Sequence, residues 1–186
     1  MDADEFRHFG HQAIDWIADY LTGMEGRPVA PAMEPGQIRA KLPASPPEEG
    51  QPMEAILDDF ERIIVPGLVH WNHPSFMAYF PANNSFPSIL GELLSAGLGI
   101  NAMNWATSPA ATELEEVVCE WVRGACGLPD HFRGSIQDTA STSTLIALLC
   151  ARERLTDFEA NREGLAELGR RLTVYASGEA HSSVEK

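Results

Sequence analysis

Residues 28 to 52 carry seven of the chain's 13 prolines. Proline lacks a backbone N–H and has a fixed φ, so this stretch is neither helix nor central strand but an extended strap. Both its flanks are amphipathic. Phe6, Phe9, Ala13, Ile17, Tyr20, Leu21 and Met24 recur at three- and four-residue steps and predict a helix, with Asp2 or Asp4 to cap it and Gly23 or Gly26 to end it. Met53, Ile56, Leu57, Phe60, Ile63 and Ile64 predict a second helix that Pro66-Gly67 stops. Two helices joined by a long strap cannot make a compact core together. Their apolar faces need another body, either the rest of the same chain or a partner subunit, and the pattern leaves both open.

Residues 70 to 87 read as a loop rich in aromatics, prolines and amides, and Ser88 to Ala96 as a helix ended by Gly97-Leu98-Gly99. Ser108 as N-cap and Pro109 in the first turn mark a further helix, with Leu114, Val117, Val118, Trp121, Val122 and Ala125 on its buried face and Gly127 closing it. The order then changes. Residues 134–137 are a short strand or an extended entry, a small polar run follows at 139–144, and a helix reaches about Leu155, with a polar helical stretch from Glu159 to Arg171. Residues 172–176 are the clearest strand, and Ser182 with Glu185 has the spacing of a capping box opening a new helix. Strand, helix, strand, helix start is α/β order.

The 186 residues suit one domain or one and a half, and 44% hydrophobic content permits a buried core. A net charge of −14 repels phosphate backbones and anionic lipid, which argues against nucleic-acid and membrane partners. The longest apolar run, Ile89 to Met103, is broken by Glu92 and Asn101, and the acidic N-terminus has no signal-peptide pattern. Cys119, Cys126 and Cys150 are unpaired in spacing and read as reduced core residues of a cytoplasmic protein. Neither a P-loop nor a Gly-x-Ser-x-Gly elbow occurs.

Three clusters could carry chemistry. The run Thr139-Ala140-Ser141-Thr142-Ser143-Thr144 opens a helix, where unpartnered N–H groups and a positive dipole favour an anion and small side chains let it approach. It is either a phosphate cradle or an over-capped helix start. His181 follows the strand at 172–176, at the edge where open α/β sheets bind ligands, and is either functional or structural. His70 and His73 are three apart, but no further ligand completes a metal set, so they line a pocket or serve structure; no metal is expected. Trp71, Tyr79, Phe80 and Pro81 offer aromatic and apolar faces for a core or a ligand.

These pieces stand in an order that resembles the aromatic-L-amino-acid decarboxylase family, the group II enzymes that use pyridoxal phosphate. The resemblance is carried by Glu5-Phe6-Arg7, Gly26-Arg27-Pro28-Val29, Glu34-Pro35-Gly36, His70-Trp71, Pro74, Ala78-Tyr79-Phe80-Pro81, Trp105, Ser108-Pro109-Ala110, Thr112-Glu113-Leu114-Glu115 and Ala180-His181-Ser182-Ser183-Val184-Glu185. It implies a helical arm over residues 1–85 that embraces the partner of a homodimer. Residues 86–186 would begin the large domain of a fold-type I pyridoxal-phosphate-dependent transferase, α/β in class. It implies that Thr139, Ala140 and Ser141 hold the cofactor phosphate, and that the catalytic His181 stacks on the pyridine ring near the substrate carboxylate. Trp71, Tyr79, Phe80, Pro81 and Ala82 would line the substrate pocket, completed by Asn101 and Met103 of the other subunit. The implied reaction is loss of CO₂ from an aromatic L-amino acid held as a Schiff base on the cofactor.

The chain departs from the family pattern in places. Asp138 stands where many members have glycine, and its carboxylate would repel phosphate unless the side chain turns away, for instance onto backbone N–H groups. Ala82, Asn101 and Met103 also differ from common family residues, which opens the choice of amino acid. Histidine decarboxylation is one alternative, and a non-catalytic dimerisation or regulatory module another. Only Lys41 and Lys186 are lysines, and neither matches the family's cofactor lysine, which lies downstream. The resemblance therefore makes this chain an N-terminal part, inactive alone, whose partner is the remainder of the enzyme.

Overall fold

The computed structural model describes residues 1–81 and 84–185. It divides into two compact units, Met1–Gly99 and Ile100–Lys186. The first holds α1 (Ala3–Thr22), α2 (Met53–Asp59) and α3 (Phe86–Leu98). The second holds α4 (Pro109–Ala125), α5 (Ala140–Thr156) and the short α6 (Glu159–Glu163). No helix is long and apolar enough to cross a membrane among the described residues.

In the first unit, Asp2 starts α1 with a reciprocal cap: its carboxylate accepts from the Asp4 and Glu5 N–H groups while Glu5 reaches back to the Asp2 N–H. The second predicted helix differs from expectation. It is α-helical only to Asp59, passes through a π turn over Phe60–Ile64 and tightens into a 3₁₀ turn at Val65–Gly67. Pro66, which lacks an N–H, sits in that last turn. The wide π turn shifts the register, and Ile63 and Val65 are both buried.

α1 and the second helix meet through directed contacts, and no residue of α1 or α2 is buried. Trp16 of α1 donates Nε1–H to Glu61 at 2.5 Å, stacks on Tyr20 and meets Phe60 edge-on, with ring centroids 5.0 Å apart in both pairs. Tyr20 in turn bonds His70, its hydroxyl 2.6 Å from Nδ1, and Arg27 lies over the Tyr20 ring. His70 is buried, and its backbone N–H donates to the Val29 carbonyl of the strap. The strap also crosses the end of the second helix. A Cβ on Gly67 would lie 2.8 Å from Ile38 Cδ1 and 3.1 Å from its Cγ1, so glycine is what lets Ile38 seat there. The knot is small. Phe6, Ile14 and Ile56 remain exposed beside it.

The second unit has one element the sequence marks only in part. Ser108 precedes α4 as expected, but its side chain makes no cap; the residue is buried and its carbonyl accepts from the Thr112 N–H and hydroxyl. The polar stretch from Glu159 to Arg171 is shorter than predicted, ending as α6 and a 3₁₀ turn at Leu165–Leu168. The α/β expectation is not met within the described residues, which contain helices and no strand. Residues 172–176 take no sheet pairing, since a strand needs a neighbour's N–H and C=O groups. Tyr175 there is 92% exposed. Nor are the cysteines core residues: Cys126 and Cys150 are exposed and Cys119 is half-buried.

Burial, Arg27 and His73 all hold the His70 imidazole below its ordinary pKa of 6.5, with burial the largest cause. Its folded form therefore binds fewer protons than its unfolded form. Stability contributed by neutral His70 is complete above pH 6.5 and declines as pH falls toward the lowered folded value. Tyr20→Phe removes the hydroxyl bond and is expected to cost about 1 kcal/mol in urea unfolding at pH 7.5. His70→Gln is expected to flatten the stability profile below pH 6.5, read by the same unfolding experiment at stepped pH.

Candidate functional site

The hydroxyl-rich run opens α5 as the sequence predicts. Thr139 is the N-cap, in extended conformation at φ −145° and ψ 159°. Its hydroxyl accepts from the Thr142 N–H at 3.1 Å, and its carbonyl accepts from the Ser143 N–H at 3.0 Å. That leaves the Ala140 and Ser141 N–H groups without a partner among the described residues, and the Ser141 hydroxyl likewise. Two free backbone donors, a free hydroxyl and a positive helix end fit a phosphate group. Asp138 does not turn onto these donors. It is exposed, and its carboxylate takes no hydrogen bond among the described residues, so it sets a negative charge beside the cradle.

His181 is tied to the same helix. Thr144 of α5 places its hydroxyl 3.3 Å from that of Ser183. Ser183 faces His181 Nδ1 twice, through Oγ at 3.0 Å and through its backbone N–H at 3.2 Å. The ring is exposed, and Nε2 takes no partner among the described residues. The capping box expected between Ser182 and Glu185 is absent: residues 182–185 are a turn, with the Val184 N–H on the His181 carbonyl and the Glu185 N–H on the Ser182 carbonyl. The sequence reading takes Thr144 only as part of the hydroxyl run and Ser183 only within the family resemblance, and ties neither to His181. The available signal was a hydroxyl two residues after His181 and another on the second turn of a helix that should meet it.

The aromatic loop of the first unit is built by successive turns, with the His73 N–H on the His70 carbonyl and the Phe76 N–H on the His73 carbonyl. Trp71 lies between Phe76 and Tyr79, with ring centroids 4.9 and 5.4 Å away. Tyr79 holds φ at +55°, a left-handed conformation costly for a bulky residue. Phe80 follows it and is 100% exposed, while Pro81 is half-buried. Trp71 and Tyr79 are thus brought together, and Phe80 stands apart. Ala82 and Lys186 lie outside the described residues. His70 and His73 each have Nδ1 engaged, by Tyr20 and by the Ser75 N–H. In the second unit Asn101 accepts from the Met103 N–H at 3.0 Å, and both side chains are exposed. Lys41 is exposed, in a 3₁₀ turn of the strap.

A model of the pyridoxal-dependent decarboxylase conserved domain matches residues 35–186. The chain belongs to the pyridoxal-dependent decarboxylase family. It is 44% identical over 197 residues to aromatic-L-amino-acid decarboxylase of Bos taurus, covering 100% of this chain and 40% of the bovine protein. Histidine decarboxylase of Drosophila melanogaster is equally similar, 44% identical over 198 residues, covering 100% of this chain and 23% of the fly protein. Among solved structures, that of Oryza sativa TDC with PLP and tryptamine superposes with a TM-score of 0.87 at 34% identity, covering 100% of this chain and 41% of the rice chain. The chain thus spans less than half the length of these relatives. The family's cofactor is pyridoxal phosphate, and the free donors at the start of α5 suit its phosphate.

The cap of this pyridoxal-family helix is testable apart from any activity. Thr139→Ala is expected to lower thermal stability by about 1 kcal/mol, and Thr139→Ser to restore most of it, because the serine hydroxyl can still accept from the Thr142 N–H.

Proposed function

We propose that the protein of which this chain is part decarboxylates an aromatic L-amino acid with pyridoxal phosphate. The observation that carries this reading is the linkage within the second unit. The free N–H groups of Ala140 and Ser141 and the exposed imidazole of His181 belong to segments joined through Thr144 and Ser183. A phosphate held at the first and an aromatic ring under the second suit one cofactor. The 44% identity to the bovine decarboxylase supports the aromatic substrate.

The bound cofactor supplies an electron-poor ring into which the electrons of the Cα–carboxylate bond flow as CO₂ leaves. The chain's own residues bind and orient. Ala140 and Ser141 donate to phosphate, with Thr139 fixing the helix start. His181 covers the ring and directs Nε2 at the substrate carboxylate. Trp71, Tyr79, Phe80, Pro81 and Ala82 receive the aromatic side chain, and Asn101 and Met103 close the pocket of the partner subunit in a homodimer. Residues 1–85 act as the embracing arm and residues 86–186 as the start of a fold-type I, α/β large domain. A groove of about 610 Å³ on the first unit, lined by Ala13, Trp16, Ile17, Ile56, Leu57 and Phe60, supports the arm's need for a partner. The lysine that holds the cofactor aldehyde belongs to sequence following residue 186, and the whole works in the cytoplasm. Histidine is the second substrate reading, favoured by the equal identity to the fly histidine decarboxylase.

The test is turnover of the PLP-loaded protein, made with the sequence that follows residue 186, on L-tryptophan, L-DOPA, L-tyrosine, L-phenylalanine and L-histidine. An aromatic amine and CO₂ are expected. Histamine as the main product would move the reading to histidine, and no amine from any of them would leave a dimerisation module. His181→Ala is expected to lower kcat at least about hundredfold; unchanged turnover would remove His181 from the site. Robust CO₂ release by residues 1–186 alone, abolished by Lys186→Ala, would overturn the placement of the lysine.

A further inference from the structure

We propose that Ser183 is a positioning residue for His181, fixing its tautomer and tying it to α5; this rests on the decarboxylase reading for its catalytic consequence. The Ser183 backbone N–H has one hydrogen, and it points at His181 Nδ1 from 3.2 Å. An N–H can donate only into a lone pair, so Nδ1 is bare and the proton of the neutral ring sits on Nε2. With Nδ1 bare, the Ser183 hydroxyl 3.0 Å away must also donate to it. Its oxygen lies 3.3 Å from Thr144 Oγ1, a hydroxyl that donates its one hydrogen to the Ala140 carbonyl at 2.9 Å. The Ser183 hydroxyl thus donates to the ring and packs against Thr144, which is itself bonded back into α5.

This arrangement has two effects on the ring. It presents Nε2–H outward, with no competing partner among the described residues, as a donor toward a carboxylate. It also links the imidazole to the helix whose first N–H groups are free, since Thr144 lies on the turn after Ala140 and Ser141. Ser183 is half-buried, while His181 is exposed, so the serine supplies rigidity that the ring's own packing does not. Without the hydroxyl, a single N–H contact would hold Nδ1, and the ring would be free to turn about χ2.

The experiment uses the PLP-loaded full-length protein and reads the His181 ring nitrogens by long-range ¹H–¹⁵N NMR, assigned by their loss in His181→Asn. The expected wild-type signature is a bare, pyridine-type Nδ1 and a protonated, pyrrole-type Nε2. Ser183→Ala should pull the two resonances toward each other and lower kcat at least about tenfold, with KM within about twofold and the cofactor absorbance retained. Ser183→Thr should restore both. A protonated Nδ1 in the wild type would overturn the proposal. So would unchanged resonances in Ser183→Ala, or a kcat loss that Ser183→Thr fails to rescue. If no amino acid is turned over, the nitrogen resonances alone decide the tautomer, so failure of the proposed activity is seen separately.

Discussion

Apolar side chains in each unit exceed the places within that unit to bury them, and most of the chain's behaviour follows. Burying a large apolar side chain contributes about 1.5 to 3 kcal/mol, so uncovered faces are strong demands for a neighbour. In the first unit the demand is met only around Met24, Ile63 and Val65. In the second it is met around Ala160 and Leu168, while Trp121 of α4 is 69% exposed. Helices form regardless, because their hydrogen bonds close within the segment. The stretch at 172–176 has no such resource and stays unpaired until something lies beside it.

Where burial is scarce, directed contacts hold the backbone. His70 is the pivot of the first unit: its ring Nδ1 shares a hydrogen bond with the Tyr20 hydroxyl and its backbone N–H donates to the strap carbonyl of Val29. Helix, strap and aromatic loop therefore meet at one residue. The turns that follow carry Trp71 and Tyr79 into a stack. In the second unit hydroxyls play the corresponding part, and two of them, on Thr144 and Ser183, join α5 to the loop that bears His181.

Helices were the legible part of the sequence, since the three- and four-residue spacing of Phe9, Ala13, Ile17 and Tyr20 reports a face directly. The hydroxyl run at 139–144 was legible too, because an N-cap is a local event and Thr139 needs only Thr142 to make it. Long-range polar pairs were not. Nothing in the spacing of Trp16 and Glu61, or of Thr144 and Ser183, marks them as neighbours, because a hydrogen bond between distant segments leaves no period. The same limit explains Ser182 and Glu185: their spacing fits a capping box, but the competing bond from the Ser183 N–H to His181 holds the turn. The strand at 172–176 was read from its β-branched residues, and propensity says nothing of whether a partner strand is present.

The π turn at Phe60–Ile64 also changes what a change of length would do there. Such a turn is an α-helix with one residue more than its hydrogen bonds require, and here the Val65 N–H reaches back to the Phe60 carbonyl. In an unbroken helix an extra residue would rotate everything after it by about 100°. The wide turn takes that residue up locally, so the residues after it keep the faces on which Gly67 meets the strap and His70 meets Tyr20. Loss of one residue from the turn would close an ordinary helix and leave those faces in place.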